Sequence, residues 1–151
     1  MDKHLSTQFD AELSNISTRV LEMGGLVEQQ VAGAIEALSS FSESHATQVL
    51  KTEERVNQIE VDIDRDLNNI IARRQPTARD LRLLIGVSKT LGNLERAGDE
   101  AARIARTTHR LISSGTHGRL FPTNAMSLEA SLAIASLRRA LDAFARLDVN
   151  L

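Results

Sequence analysis

Ala72-Arg-Arg-Gln-Pro-Thr-Ala-Arg-Asp-Leu-Arg82 stands between two long stretches in which apolar residues recur every three or four positions. Proline disfavours helical geometry in the residue before it, so Pro76 predicts the end of one helix and the start of the next. Thr77 and Asp80 have the spacing of a capping box, with Asp in place of Glu. The segment therefore predicts a tight turn between two antiparallel helices.

Apolar residues with helical spacing continue from this turn in both directions and predict four helices. The predicted core residues are, helix by helix, Phe9, Leu13, Ile16, Val20, Met23, Val27, Val31, Ile35 and Leu38; Val49, Val56, Ile59, Ile63, Leu67 and Ile70; Leu81, Leu84, Val87, Leu91, Leu94, Ala101, Ile104, Ala105, Thr108 and Ile112; and Leu128, Leu132, Ile134, Leu137, Leu141 and Phe144. The pattern predicts an all-α fold. Residues 1–113 would form a three-helix up-down bundle, 114–123 a loop, and 124–151 a fourth helix beginning a second repeat.

The composition narrows the class of protein. The chain has 151 residues, a formal net charge of −2, 3% aromatic residues and no cysteine. A charge this close to zero gives no basic field for nucleic acid, and the lack of cysteine excludes disulfides and thiolate zinc sites. No apolar run approaches the roughly 18 residues of a membrane span, and the N-terminus lacks the apolar core of a signal peptide. We expect a soluble, cytoplasmic protein that neither binds nucleic acid nor inserts into a membrane.

Motifs of common enzyme classes are missing from the sequence. There is no glycine-rich phosphate loop, no Glu-x-x-His pair of the di-iron bundles and no nucleophile elbow. The four histidines, His4, His45, His109 and His117, are scattered near predicted helix ends and loops. We therefore expect a protein that is not an enzyme and has no catalytic residues.

Two pairs of acids carry the clearest chemical signal. Glu60 and Asp64, and likewise Glu95 and Asp99, stand four residues apart and so share one helical face. Each pair follows the apolar stripe of its helix by one residue, and the Pro76 turn brings like edges of the two helices together. Acids that face each other repel unless they are protonated, paired with arginine or bridged by a cation. Oxygen ligands suit Mg²⁺, Mn²⁺, Ca²⁺ or iron.

The register of the two helices adds weaker candidates for the same site. A turn centred near Pro76 offsets the two acid pairs by roughly 12 Å along the axis, at 1.5 Å per residue. Glu53 and Asn57 would then lie level with the pair at 95 and 99. Glu28 of the first helix is a further weak candidate. Metal ligands are thus predicted at Glu60, Asp64, Glu95 and Asp99, with Glu28, Glu53 and Asn57 as weaker candidates.

Plainer interpretations of these features stay open. The acids could be solvated or paired with Arg65 and Arg96. The glycines Gly24 and Gly25 indicate a tight helix crossing, a local kink or the close approach of a ligand. A basic cluster at the second turn is either a solvated helix end or a site for an anion or a partner. Its members are Arg73, Arg74, Arg79 and Arg82.

Several strings of residues together resemble the PhoU family, the accessory regulators of phosphate uptake. They cover residues 4–112 in family-like order, and 140–148 resembles the start of the family's second repeat. The strings are Phe9-Asp-Ala-Glu-Leu13, Met23-Gly-Gly-Leu-Val-Glu28, Val56-Asn-Gln-Ile-Glu-Val-Asp-Ile-Asp64, Ala72-Arg-Arg-Gln-Pro-Thr-Ala-Arg-Asp-Leu-Arg82 and Leu94-Glu-Arg-Ala-Gly-Asp-Glu-Ala101.

The resemblance implies two tandem three-helix bundles whose acidic motifs hold metal ions, here Glu60/Asp64 and Glu95/Asp99. The ions would be Fe, Mn, Mg or Zn, often as a multinuclear iron centre. Family members negatively regulate a phosphate ABC importer and the phosphate-starvation response. They are thought to contact the ATP-binding subunit of the importer and a phosphate-sensing histidine kinase. Most of the second bundle is missing here, so we expect a fragment of a longer protein.

Three functions are therefore weighed: a metal-binding adaptor in phosphate signalling, a metal-independent helical scaffold, and a metal-dependent hydrolase. The first is favoured. The fourth helix adds an expectation about assembly, because its apolar stripe would be costly to leave in water. We expect that stripe to pair with the same helix of another chain, giving a homodimer or higher oligomer, rather than to fold back onto a bundle already filled by three helices.

Overall fold

The computed structural model describes residues 2–115 and 123–146 of the chain. Four helices make up nearly all of these two ranges: α1 spans Asp2–Ser40, α2 Glu43–Arg74, α3 Ala78–Ser113 and α4 Thr123–Arg146. No strand occurs in the two ranges, which confirms the predicted all-α class. Residues 116–122, most of the predicted loop, and 147–151, the end of the predicted fourth helix, lie outside the described residues.

Two short turns connect the first three helices. Ser42 caps α2, its side chain accepting a hydrogen bond from the backbone N–H of His45 at 3.3 Å. Thr77 caps α3 in the same way and also donates its hydroxyl to the Asp80 carboxylate at 2.6 Å. The capping role predicted for Thr77 is thus confirmed. Because two or three residues connect each pair of helices, consecutive helices lie antiparallel.

The core divides into two clusters along the bundle. The larger cluster contains Leu, Ile, Val and Met side chains of α1, α2 and α3, and the smaller one is mostly alanine. In each of these helices the buried positions alternate in steps of three and four, the spacing of a left-handed bundle seam. Most of their predicted core positions are buried, which confirms the predicted stripes. The positions that are only partly buried are Phe9, Val31, Ile35, Ile59, Leu81, Ile104 and Ile112.

The fourth helix packs against α1 of its own chain. Leu137, Leu141 and Phe144 lie partly buried against the larger core cluster. A Cβ atom at Gly24 would stand only 2.7 Å from Leu141 Cδ1, so the missing side chain at this position allows the two helices to approach closely. The tight-crossing interpretation of the glycine pair is confirmed for Gly24.

This packing differs from the expectation that α4 would keep its stripe for another chain. That expectation treats α1 as having a single buried face, whereas α1 presents Gly24 and its neighbours to α4 on a second face. The packing covers only part of the stripe, because Leu128 and Leu132 remain 63% and 61% exposed. None of the helices within the described ranges is both long and apolar enough to cross a membrane.

Candidate metal centre

A polar layer interrupts the core between its two clusters. At this level the buried stripe of each of α1, α2 and α3 has a residue without an apolar side chain: Gln30, Glu53 and Gly98. On α1 the larger cluster ends at Val27 and the alanine cluster begins at Ala34, so Gln30 lies at their boundary. The antiparallel turns bring the other two positions to the same level of the bundle.

The contacts within this layer are close. Gln30 is 1% exposed and Glu53 is 7% exposed, and the Gln30 side-chain N–H donates to Glu53 Oε2 at 2.5 Å. Gln30 Oε1 has no hydrogen-bond partner within the described part of the chain. A Cβ at Gly98 would stand 2.9 Å from Gln30 Oε1 and 3.3 Å from Glu53 Oε2. The glycine therefore leaves the space that these two oxygens face.

Acidic side chains of α2 and α3 gather beside the layer. Burial raises the pKa of the Glu53 carboxyl, the Gln30 N–H opposes that shift, and Asp99, within hydrogen-bonding reach, raises the pKa further. Burial likewise raises the pKa of Glu95, and the nearby charges of Asp99, Glu60 and Glu53 add to the effect. Like charges placed this close favour protonation or a bound cation. We call these four acids, Glu53, Glu60, Glu95 and Asp99, the acid cluster.

The residues predicted as metal ligands do not all lie in this cluster. Glu60, Glu95 and Asp99 do, and Asn57 lies beside it, close enough to oppose the rise in the pKa of Glu53. Asp64 is exposed one turn further along α2, where it accepts a hydrogen bond from Asn68 at 3.0 Å. Glu28 pairs instead with Arg138 of α4. Metal binding by any of them stays a prediction.

Sequence reasoning underrates one residue of this centre and misses another. Glu53 is predicted only as a weaker candidate beside the core rather than within it, and Gln30 is not among the predicted ligands. The signal is present in the sequence, because Val27, Gln30 and Ala34 continue the three-four spacing of α1, as Glu53 does in α2. Counting only apolar residues along each stripe hides a polar residue at a core position.

The donor set is one of oxygens from carboxylates and amides. Within the part of the chain that the structure describes, no three His, Asp or Glu side chains are placed to hold a metal ion together. The remaining donors near Glu53 are the amides of Gln30 and Asn57. Arg65, which could have neutralised Glu60 or Asp64, pairs instead with Asp62 at 3.0 Å. A hard cation is the ligand that this set suits.

Two arginines of the basic cluster at the second turn make hydrogen bonds within the bundle. Arg74 donates from Nε and Nη2 to the two carboxylate oxygens of Glu12, at 2.8 and 2.9 Å, and so joins α2 to α1. Arg73 donates to the backbone carbonyl of Asn69 at 3.3 Å. The adjoining groove is also lined by the acids Asp10 and Asp80. Its mixed charge does not single out an anion as ligand.

Comparison with known proteins gives consistent matches. The family model of the PhoU domain matches residues 20–108. The chain is 47% identical over 148 residues to a phosphate-specific transport system accessory protein PhoU homolog of Burkholderia sp, and 43% identical over 150 residues to the accessory protein PhoU of Escherichia coli (strain K12). These matches cover 98% and 99% of the chain, but 63% and 61% of the relatives.

A solved structure agrees with the sequence matches. The crystal structure of PhoU from Pseudomonas aeruginosa superposes with a TM-score of 0.85 at 41% identity, over 93% of this chain and 66% of that one. The chain thus spans about three fifths of the length of the curated relatives it matches.

Proposed function

Because this chain belongs to the PhoU family, we propose that it acts as an accessory regulator of a phosphate-specific transport system. The observation that carries the proposal is the family match over residues 20–108, joined to a fold that superposes on a solved PhoU at a TM-score of 0.85. Its relatives are named accessory proteins of that system, and the names point to a regulator rather than an enzyme.

The proposed mode of action is binding. The chain would contact the ATP-binding subunit of the phosphate importer and a phosphate-sensing histidine kinase, and it would lower both phosphate import and the starvation response. The long helices support such a role, since they present wide surfaces to a partner. A second chain of the same kind is a further proposed partner, through the exposed part of α4.

A metal ion is part of the proposal. The acid cluster fits a hard cation in two respects. Its carboxylates on α2 and α3 lie close enough to raise the pKa of Glu53 and of Glu95, and the buried Gln30 Oε1 beside it lacks a partner within the described residues. Glu53 and Asp99 would hold the ion, with Glu95 and Glu60 at the side. When bound, the ion supplies positive charge that offsets the repulsion among these acids. The role proposed for it is therefore structural and regulatory.

The regulatory role is tested by direct binding. Purified chain, labelled with a fluorophore, is titrated with the ATP-binding subunit of a phosphate importer, and with the ATP-binding subunit of an unrelated importer as the control. We expect saturable binding to the first and not to the second. Equal binding to both subunits, or to neither, would contradict the proposed partner.

The metal site is tested by variants of the acid cluster. Glu95→Ala with Asp99→Ala removes two carboxylates that contribute little packing, so the bundle should stay folded while Mn²⁺ binding weakens. The matched control is Glu129→Ala with Asp142→Ala, which removes two exposed acids of α4. Unchanged Mn²⁺ stoichiometry and affinity in the first variant, measured by calorimetry, would reject the site.

The metal-independent scaffold is the second candidate function. It is favoured by one observation, that no three acidic or imidazole side chains within the described residues are placed to hold a metal ion together. The same two experiments separate the candidates. Binding to the importer subunit without any uptake of Mn²⁺ would support the scaffold over the metal-binding adaptor.

A further inference from the structure

We propose that Gln30 is the ligand that α1 contributes to the cation site, so that Gln30 Oε1, Glu53 and Asp99 form one oxygen set drawn from all three helices of the bundle. The inference rests on the cation binding proposed above and deepens it. It turns a surface cluster of acids on two helices into a partly buried site that joins three.

The first observation is the state of the Gln30 amide. Its side chain is 1% exposed, and its N–H already donates to Glu53 Oε2 at 2.5 Å. Its Oε1 has no hydrogen-bond partner in the described ranges. Buried polar oxygens nearly always have a hydrogen-bond partner, because an oxygen that loses its hydrogen bonds to water without replacing them destabilises the fold. An oxygen left in this state beside two carboxylates is suited to a cation.

The second observation is the space in front of that oxygen. On α3 the stripe position that faces the layer is Gly98, and a Cβ there would come within 2.9 Å of Gln30 Oε1 and 3.3 Å of Glu53 Oε2. Gly98 directly precedes Asp99, whose carboxylate lies within hydrogen-bonding reach of Glu53. The bare backbone thus keeps one region open to oxygens from α1 and α2, next to the carboxylate of α3.

The charge of this oxygen set indicates the kind of ion. Two carboxylates, from Glu53 and Asp99, match the charge of one divalent cation, and the amide adds an oxygen without adding charge. Mg²⁺, Mn²⁺ and Ca²⁺ take such mixed sets of carboxylate and amide oxygens. A site built in this way needs two acids and one amide oxygen.

A buried glutamine could instead act only in packing, by fixing the register of the three helices. The two roles differ in what they require of Oε1. Register needs only the hydrogen bond from the Gln30 N–H to Glu53, and it makes no demand on cation affinity. Measurements of cation binding therefore separate the roles.

The experiment compares three variants of the full chain by calorimetric titration with Mn²⁺. Gln30→Leu removes the oxygen at similar volume, Gln30→Glu keeps an oxygen ligand at the same place, and Gln29→Leu makes the same change on the exposed side of α1. We expect Gln30→Leu to weaken Mn²⁺ binding by at least about tenfold, the effect typical of removing a group that supports a metal site. Gln30→Glu should bind at least as tightly as wild type, and Gln29→Leu should match it.

The outcomes separate two claims, that the chain binds a cation and that Gln30 is one of its ligands. If wild type binds Mn²⁺ and Gln30→Leu binds it equally well, the role of Gln30 is overturned while the acid cluster stands. If wild type takes up no Mn²⁺, both the cation site and the role of Gln30 fall.

A second measurement covers the case in which Gln30→Leu does not fold. In wild type labelled with ¹⁵N, titration with Mg²⁺ should shift the side-chain amide resonance of Gln30 in a saturable way and leave that of Gln29 in place. An unmoved Gln30 resonance at saturating Mg²⁺ would overturn the assignment.

Discussion

Arg74 joins the end of α2 to α1 through a single carboxylate, that of Glu12. The two parallel hydrogen bonds, 2.8 and 2.9 Å long, are the geometry in which a guanidinium binds a carboxylate most specifically. The hydrogen bond from Arg74 is the main cause that lowers the pKa of Glu12. Both side chains are mostly shielded from solvent, with 17% and 27% of Arg74 and Glu12 exposed. Salt therefore screens this pair less than a fully exposed one.

The pair predicts a pH dependence of stability. A carboxyl group whose pKa is lower in the folded than in the unfolded state stabilises the fold at pH values above its unfolded-state pKa. That contribution is lost as the pH falls through its folded-state pKa. Glu12→Gln should therefore lower the free energy of unfolding at neutral pH, and the difference from wild type should shrink in acid. Urea denaturation from neutral pH down into the acid range measures this difference, with Glu54→Gln, at an exposed position, as the control. A difference that is constant with pH would contradict the assignment.

A second residue-scale prediction concerns the end of α2. Gln75 is exposed and adopts the left-handed conformation, with φ of 44°, which costs a non-glycine residue roughly 1–2 kcal/mol. Glycine avoids that cost but gains freedom in the unfolded chain, so Gln75→Gly should raise the free energy of unfolding by up to about 1 kcal/mol. Gln48→Gly, at an exposed position inside α2, should lower it by roughly 0.5 kcal/mol. Thermal denaturation shows whether the two signs differ.

At the scale of the elements, the contact between α1 and α4 depends on one missing side chain. Gly24 lies against Leu141, whereas a Cβ at the adjacent Gly25 would meet nothing within 4 Å among the described residues beyond its own turn of helix. The ion pair between Arg138 and Glu28 joins the same two helices. The two glycines have equal helix propensity but unequal surroundings, and they therefore form a matched pair for testing how α4 is held.

The matched pair predicts opposite effects of one substitution. Gly25→Ala should raise the free energy of unfolding by about 1 kcal/mol, because alanine favours the helix and the added methyl group has open space. Gly24→Ala places a methyl group against Leu141 and should push α4 away from α1. Hydrogen exchange of the α4 amides measures this: we expect faster exchange across α4 in Gly24→Ala alone. Equal protection of α4 in both variants would show that the crossing tolerates a side chain.

The elements also show which parts of the molecule can be predicted from sequence. The stripes and Thr77 predict the helices and the second turn, because a helix buries residues at a fixed period and needs a cap at its start. The burial of Gln30 could not be inferred from hydrophobicity, because glutamine is a polar residue type that usually lies at the surface. The packing of α4 on its own chain runs against the expectation from its stripe, because it depends on a second face of α1 that only Gly24 signals.

At the scale of the whole molecule, the uncovered end of α4 predicts self-association. Leu128 and Leu132 are 63% and 61% exposed and lie one helical turn apart, so they form a small apolar surface. The predicted homodimer would bury it. Leu128→Glu with Leu132→Glu should shift sedimentation at high protein concentration toward the monomer. Val61→Glu with Ile85→Glu, which alters exposed apolar residues of the bundle, is the control. A wild-type chain that stays monomeric would contradict the prediction.

The two short turns of the bundle affect the order in which the helices fold. Closing a connection of two or three residues costs little chain entropy, so α1 with α2, and α2 with α3, can assemble from the turns outward. The transition state for folding should then contain the helix ends near Ser42 and Thr77, while α4 docks afterwards. Substitutions at these caps should slow folding, and those at the crossing of Gly24 with Leu141 should mainly speed unfolding. The order in which the helices form would thus follow the lengths of the segments that connect them.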